Sequence, residues 1–543
     1  MRHGLSWSGV ALALAAWAVS CSASDDGVQA PSGDLSGGSA GVGGGFSTGT
    51  GGSSSGIASG GAGGVSASSG GTSGTLGTSD RPGTSGTGGT SSPTADAGGQ
   101  GELDAGGDAE TNACARLDAR QDAVFFLSAD DSNSMASPAI ARSMLRQGQR
   151  PPAQILRTYE FLNYYDIGYP VAAAGSLAIQ LDMRRESTGE LELQIGVASE
   201  ASRRPRRPMN LTFVLDTSGS MSGAPIALER SAVLAIASSL AAGDIVSMVT
   251  WNTANAVVLD SHVVSGPNDA LLVARANALE AGGGTDLNGG LTKGYEIAEK
   301  NFAPSLLNRV ILISDGQANV GITEEDIIGR GAALNDGDGI YLTGVGVGAG
   351  VNDTLMDTVT DAGRGAYVYL DSAVEATRMF VERFDEVMEV AARGVHVELR
   401  LPWYLGIERF FGEEYSTNPR DVEPQHLAPD DAMVFTQLLA PCSPEVVSND
   451  DPVEVIARWQ VPVIHTPAQV TAQTTIGELL AANRVYLAKG RAIIDYAEAL
   501  KGSAESHALL TEANELAAAA DPGGTDPELR EIRELVGLAL TLY

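Results

Sequence analysis

Asp216, Ser218 and Ser220 stand two residues apart where an apolar run ends, in "NLTFVLDTSGS" at 210–220. Alternate residues of an extended segment point the same way, so this carboxylate and two hydroxyls can address one point. Two further stretches carry the same chemistry. "AGGGTDLNGG" presents Thr285 on a glycine loop before a helical pattern, and "SDG" at 314–316 places Asp315 directly after the apolar run "NRVILI". All five side chains offer oxygen, and none offers sulfur or imidazole. Such a set suits a hard divalent cation, Mg2+, Mn2+ or Ca2+, rather than zinc or copper. Gly219 lets another backbone segment come close. Asp and Ser after a strand also suit a capped turn at a helix start. Their recurrence in three separate loops favours the metal.

The elements that position these loops follow from periodicity. "NLTFVL" and "NRVILIS" are continuously apolar, as strands covered on both faces are. "PIALERSAVLAIASSLAAGD" reads as a helix with Pro225 near its start and Gly243 past its end. "DIVSMVTW" and "AVVLD" flank "NTAN" as a hairpin at a sheet edge. Helices follow in "ALLVARANALEA" and "LNGGLTKGYEIAEKNF". After "NRVILIS" come a helix "EEDIIGRGAALNDG", a strand "GIYLTGVGVG", a helix "NDTLMDTVTDAG", a strand "GAYVYLD" and one closing helix, "AVEATRMFVERFDEVMEVAA". Alternation of this kind predicts an α/β fold with a doubly wound, mostly parallel sheet and helices on both faces. Ligands of such sheets bind beyond the C-terminal strand ends, where Asp216 and Asp315 fall.

The sequence resembles a von Willebrand factor type A domain with its metal-ion-dependent adhesion site. The D-x-S-x-S motif stands complete as Asp216-Thr217-Ser218-Gly219-Ser220, with Thr285 in "GGGTD" and Asp315 in "SDG" in the expected order. The resemblance implies that Ser218, Ser220 and Thr285 ligate the ion directly, while Asp216 and Asp315 act largely through water. It further implies a protein-binding role. The ion keeps an open position for an acidic residue of a partner. Similarity over about 120–470 extends to a bacterial subfamily labelled as homologues of Ca-activated chloride channel regulators.

Outside this unit the pattern divides the chain. Residues 1–20 read as a signal peptide with Arg2 before an apolar stretch, too short to span a membrane. "AVSC" resembles a lipoprotein box with Cys21 as the lipidation site, and ordinary signal-peptidase cleavage near Ser20–Ala23 is the alternative. Residues 21–112 are Gly/Ser-rich and lack the apolar surface to offset chain entropy, so they predict a disordered tether with a reach of roughly 50 Å. Residues 113–207 predict an N-terminal extension of short helices and a β-hairpin, 208–393 the type A domain, 394–469 a β-rich C-terminal extension, and 470–543 a helical segment. The protein is therefore expected to be exported and lipid-anchored at a bacterial envelope. Cys114 and Cys442 form an even pair for an oxidising compartment, either as a disulfide or as free buried thiols.

Other readings carry less. With 34 Lys+Arg against 67 Asp+Glu the formal charge is −33, a poor surface for nucleic acid. "RRPRRP" at 203–208 is short enough to be a solvated loop. "GVGVGA" at 344–349 satisfies a dinucleotide pattern but comes late in the sheet, and tight backbone packing accounts for it better. No catalytic site is expected. A metal-dependent hydrolase is the alternative, with Asp216 and Asp315 both committed to the ion and no evident general base. A structural envelope protein with a purely stabilising metal is the other.

Overall fold

The computed structural model describes residues 114–130, 133–317 and 339–543. The signal, Cys21, the tether and the helix expected at 324–337 lie outside them.

The N-terminal extension runs β1 (Ala123–Ser128), α1 (Ala136–Arg146), α2 (Thr158–Tyr164), β2 (Ala178–Arg185) and β3 (Leu191–Ala198). The central unit follows as β4 (Met209–Asp216), α3 (Ala224–Ser239), β5 (Ile245–Trp251), β6 (Asn255–Val263), α4 (Ala270–Asn277), α5 (Leu287–Lys300), β7 (Leu307–Ser314), β8 (Tyr341–Val347), α6 (Asp353–Ala362), β9 (Tyr367–Leu370), α7 (Ala373–Thr377) and α8 (Phe384–Met388). Its sheet has the order β6-β5-β4-β7-β8-β9. The pairs β4–β5, β4–β7, β7–β8 and β8–β9 are parallel, and only the edge hairpin β5–β6 is antiparallel. Leu211, Phe213, Leu215, Ile311 and Ile313 pack on one face with α3, while Val214, Val310 and Leu312 pack on the other with α5 and α6. That two-sided burial explains the continuous apolar runs. Gly344 and Gly346 of β8 are packing positions. A Cβ on Gly344 would stand 2.2 Å from Thr360 Oγ1.

The C-terminal extension gives β10 (Ala392–Leu401), β11 (Leu405–Phe410), β12 (Glu414–Ser416), β13 (Gln425–Leu427), β14 (Ala432–Pro441), β15 (Pro452–Gln460) and β16 (Pro467–Thr475). These strands join those of the N-terminal extension in two antiparallel sheets, β12-β1-β10-β15-β16 and β11-β14-β3-β2, whose inner faces share a core around Met183, Ile195, Leu399, Phe435 and Val455. Cys114 and Cys442 are bonded, with Cα atoms 5.1 Å apart. The chain ends in α9 (Ile476–Ala481), α10 (Val485–Leu500), α11 (Ser506–Ala520) and α12 (Pro527–Ala539).

Two expectations change. The closing helix at 373–392 is broken into α7, a wide π turn over Arg378–Glu382 closed by Arg383 N–H on Arg378 O, and α8. The Arg383 guanidinium leaves the helix to donate to Tyr164 O in α2 at 2.7 Å, a tertiary contact that periodicity cannot announce. Residues 470–475 are strand rather than helix. β16 pairs with β15 along its whole length, and the helices start only at Ile476, capped by Thr475 and Glu478.

Candidate metal centre

β4 ends at Asp216 and β7 at Ser314, neighbouring strands of one sheet. Asp216 is wholly buried and its carboxylate is held from two sides. Ser218 N–H donates to Oδ1 at 2.9 Å, and the Ser314 hydroxyl donates to Oδ2 at 2.6 Å. Ser314 Oγ in turn accepts the Gly316 amide at 2.9 Å. Burial pushes the Asp216 carboxyl up to about 6, with the Ser314 and Ser218 hydrogen bonds opposing and the charge of Asp315 adding to the rise.

The Ser218 and Ser220 hydroxyls meet at 3.1 Å, Ser218 buried and Ser220 open to solvent. The glycine loop is stitched onto this turn. Gly219 N–H donates to Gly283 O at 3.1 Å, and Gly282 N–H donates to Thr217 O at 2.8 Å. A Cβ on Gly219 would lie 3.2 Å from Gly283 O, so the smallest residue is what lets the two loops touch. Thr285 follows two residues after Gly283 on this stitched loop and is buried. Asp286 then caps α5 by accepting the Gly289 amide at 3.0 Å. Asp315 follows Ser314 directly and is buried. Its Oδ1 accepts the Gln317 amide at 3.0 Å, and its carbonyl accepts the Asn352 amide at 2.9 Å. Gly316, at φ +69°, has Asn352 within 3.0 Å of where a Cβ would sit. All five residues singled out from the sequence therefore lie at a strand end or on the segments stitched to it at one edge of the sheet.

Three groups at this edge were not singled out. Ser314 anchors Asp216, and its signal was the residue preceding "DG". The β5–β6 turn supplies Asn252 and Thr253. Asn252 Nδ2 donates to Thr217 Oγ1 at 3.2 Å, and Thr253 Oγ1 accepts the Gly284 amide at 2.6 Å. The third is Glu229 of α3, wholly buried, with neither carboxyl oxygen hydrogen-bonded.

Among the described residues no three His, Cys, Asp or Glu side chains cluster to hold an ion by themselves. The set gathered here is of another kind, three hydroxyls with two carboxylates. All-oxygen donors fit a hard cation that keeps part of its water shell.

Residues 210–383 match the family model of the von Willebrand factor type A domain, and residues 109–188 match a second model described as von Willebrand factor. Residues 210–383 of the chain are a von Willebrand factor type A domain. It is 29% identical over 290 residues to the uncharacterized protein YfbK of Escherichia coli (strain K12), covering 51% of this chain and 49% of that protein. It is 26% identical over 236 residues to the inter-alpha-trypsin inhibitor heavy chain H3 of Pongo abelii, covering 41% of this chain and 27% of that one. The solved von Willebrand factor type A protein from Catenulispora acidiphila aligns over 65% of this chain and 89% of its own, with a TM-score of 0.40 and 15% identity. The chain spans about half the length, or less, of the curated relatives it matches.

Proposed function

We propose that this protein is a metal-ion-dependent binding module displayed at a bacterial cell envelope, with Mg2+ or Mn2+ as its ion. The observation that carries the reading is the convergence of Asp216, Ser218, Ser220, Thr285 and Asp315 on three loops at one sheet edge. Ser218, Ser220 and Thr285 would hold the ion, and Asp216 and Asp315 would orient its water. The bound ion supplies an electrophilic position that a carboxylate from outside can fill. Neutral hydroxyls leave its charge poorly compensated, and the open Ser220 side leaves room for a partner's acidic side chain. Ser314 and the Ser218 amide keep the Asp216 carboxylate in place while the partner comes and goes. The signal and the Cys21 box support export and a lipid anchor, with the domain held off the membrane by the segment up to 112.

The test uses the mature chain. Mn2+ or Mg2+ is expected to raise its melting temperature, and EDTA to reverse the rise. Crosslinked pull-down from envelope extracts should recover a partner with the ion and lose it with EDTA or with Asp216→Ala. No change in melting or capture with chelator would refute the reading. A melting shift with capture unaffected would leave only a stabilising metal.

A further inference from the structure

Arg309 stands near the start of β7, at the end of that strand opposite Asp315, and is only 4% exposed. Its guanidinium donates to Met388 O at 2.6 Å and to Thr343 Oγ1 at 3.2 Å, both neutral acceptors. Among the described residues no carboxylate pairs with it. A buried cation without a counter-charge is costly, and burial accordingly pushes Arg309 down to about 10, with Tyr341 and Glu389 opposing.

A cavity of about 40 Å³ lies beside it, at the junction of the central unit and the paired sheets. Arg309, with Arg364 and Ala366 from the turn between α6 and β9, walls one side, and His426 of β13 walls the other. Tyr341 lies between the two groups, its ring centroid 5.7 Å from Arg309 Cζ and 5.0 Å from the His426 ring. His426 is 8% exposed. Its Nδ1 accepts the Gly394 amide at 3.1 Å, so the neutral ring carries its proton on Nε2. That Nε2–H is buried and has no hydrogen-bond partner. Burial, joined by the charges of Arg393, Arg364 and Arg309, pushes the ring down to about 3 and keeps it neutral. Three acids share the wall, and each is answered by an arginine. Glu386 accepts from Arg383, Asp431 faces the charge of the same Arg383, and Glu389 pairs with Arg207 at 3.4 Å. What the cavity leaves unanswered is one cation and one donor.

We propose that this cavity binds one small monovalent inorganic anion, of halide size, between Arg309 and His426 Nε2–H. Water can accept the Nε2 proton but leaves the Arg309 charge buried and uncompensated, whereas an anion answers both. One water needs about 10–15 Å³, so the space admits a halide and excludes a nucleotide or a sugar phosphate. The occupant ties β7 of the central sheet to β13 of the paired sheets. The site is separate from the metal centre, which lies at the other end of the parallel strands.

The test uses the mature chain in EDTA, with sodium bromide as probe and sodium gluconate holding ionic strength constant. Crystals grown in bromide are expected to show an anomalous peak in the cavity, in contact with Arg309 and His426 Nε2. Low-millimolar bromide should raise the melting temperature of wild type, and Arg309→Met should lose that rise. His426→Asn should lose it too, and its side-chain oxygen can still take the Gly394 amide should the methionine variant fold poorly. Arg420→Met, which removes an exposed arginine, should keep the wild-type response. Bromide at surface positions only, with water in the cavity, overturns the proposal. So does a melting response that both cavity variants share with wild type. Either result leaves the metal reading untouched, since no divalent ion is present.

Discussion

Ser314→Ala tests the arrangement of the site from outside its set of ion-facing oxygens. The hydroxyl donates to Asp216 Oδ2 at 2.6 Å and accepts the Gly316 amide at 2.9 Å, and Ser314 and Asp216 are both wholly buried. Alanine removes both bonds and leaves a carboxylate oxygen and an amide without partners where water does not reach. A hydrogen bond to a charged group contributes about 1.5–3 kcal/mol, and a neutral one about 1 kcal/mol. The expected loss is thus about 3 kcal/mol. The ordered part has roughly 400 residues, and unfolding entropy near 2.1 cal/mol/K per residue turns that loss into a melting shift of about 3–4 °C in EDTA. A carboxylate released from its anchor also orients the ion's water less well. Loss of an outer partner of this kind costs about 10–100-fold in metal affinity. Scanning calorimetry in EDTA and Mn2+ titration read the two effects separately. A variant that matches wild type in melting and in Kd would refute the claim that Ser314 holds Asp216 for the ion.

Two further outcomes are expected. Arg142 of α1 is buried among Asp371 at 2.7 Å, Glu375 at 2.8 Å and Glu531 at 3.2 Å, so it ties the N-terminal extension to α7 and α12. Arg142→Met leaves buried carboxylates uncompensated and should cost about 3–5 kcal/mol, with Asp371→Asn and Glu375→Gln recovering part of it in calorimetry. Melting in EDTA should also fall as pH rises from about 4 through 7. Burial pushes Asp495 up to about 7 despite Arg491, and burial pushes Glu160 up to about 7 despite Arg157. An acid whose folded value is raised binds its proton more tightly in the native state. Its stabilising effect is therefore full below its unfolded value and is lost as pH climbs through the folded one. Asp495→Asn should flatten this slope in a pH series of melts, and an unchanged slope would count against the assignment.

The central sheet was legible because its signals are local. Strands buried on both faces are written as apolar runs, and the loops at their ends are written as Asp, Ser and Gly at fixed spacing. The paired sheets were less so. β1 meets β10 with Ala123 opposite Leu401, a pairing whose partners are far apart in sequence and that no local window contains. β16 reads "PAQVTAQTT", with alternate residues exposed, so a half-wet edge strand looks too polar to be one and merges with the Ala-rich helices after it. Glu229 was legible in principle. It falls three residues after Ile226 and four before Val233, on a stripe otherwise apolar, and a charge in that register contradicts the helix pattern unless something beyond the helix compensates it.

The placement of the paired sheets explains how the site stays open. Arg309, near the start of β7, donates to Met388 O at 2.6 Å, and Tyr341, first in β8, sets its ring edge-on to His426, 5.0 Å away. His426 belongs to β13, which pairs with β10. The extension thus covers the N-terminal ends of the parallel strands. Asp315 follows the other end of β7, six residues beyond Arg309, and at about 3.3 Å per residue that is roughly 20 Å away. The chain enters the central unit at Met209 and leaves it after Met388, and Arg309, which bonds to Met388 O, pairs across the sheet with Leu211. Both covalent crossings therefore lie at the covered end. The described chain begins at Cys114, bonded to Cys442 just past the end of β14, within the paired sheets. The edge carrying Ser220 is left open to solvent.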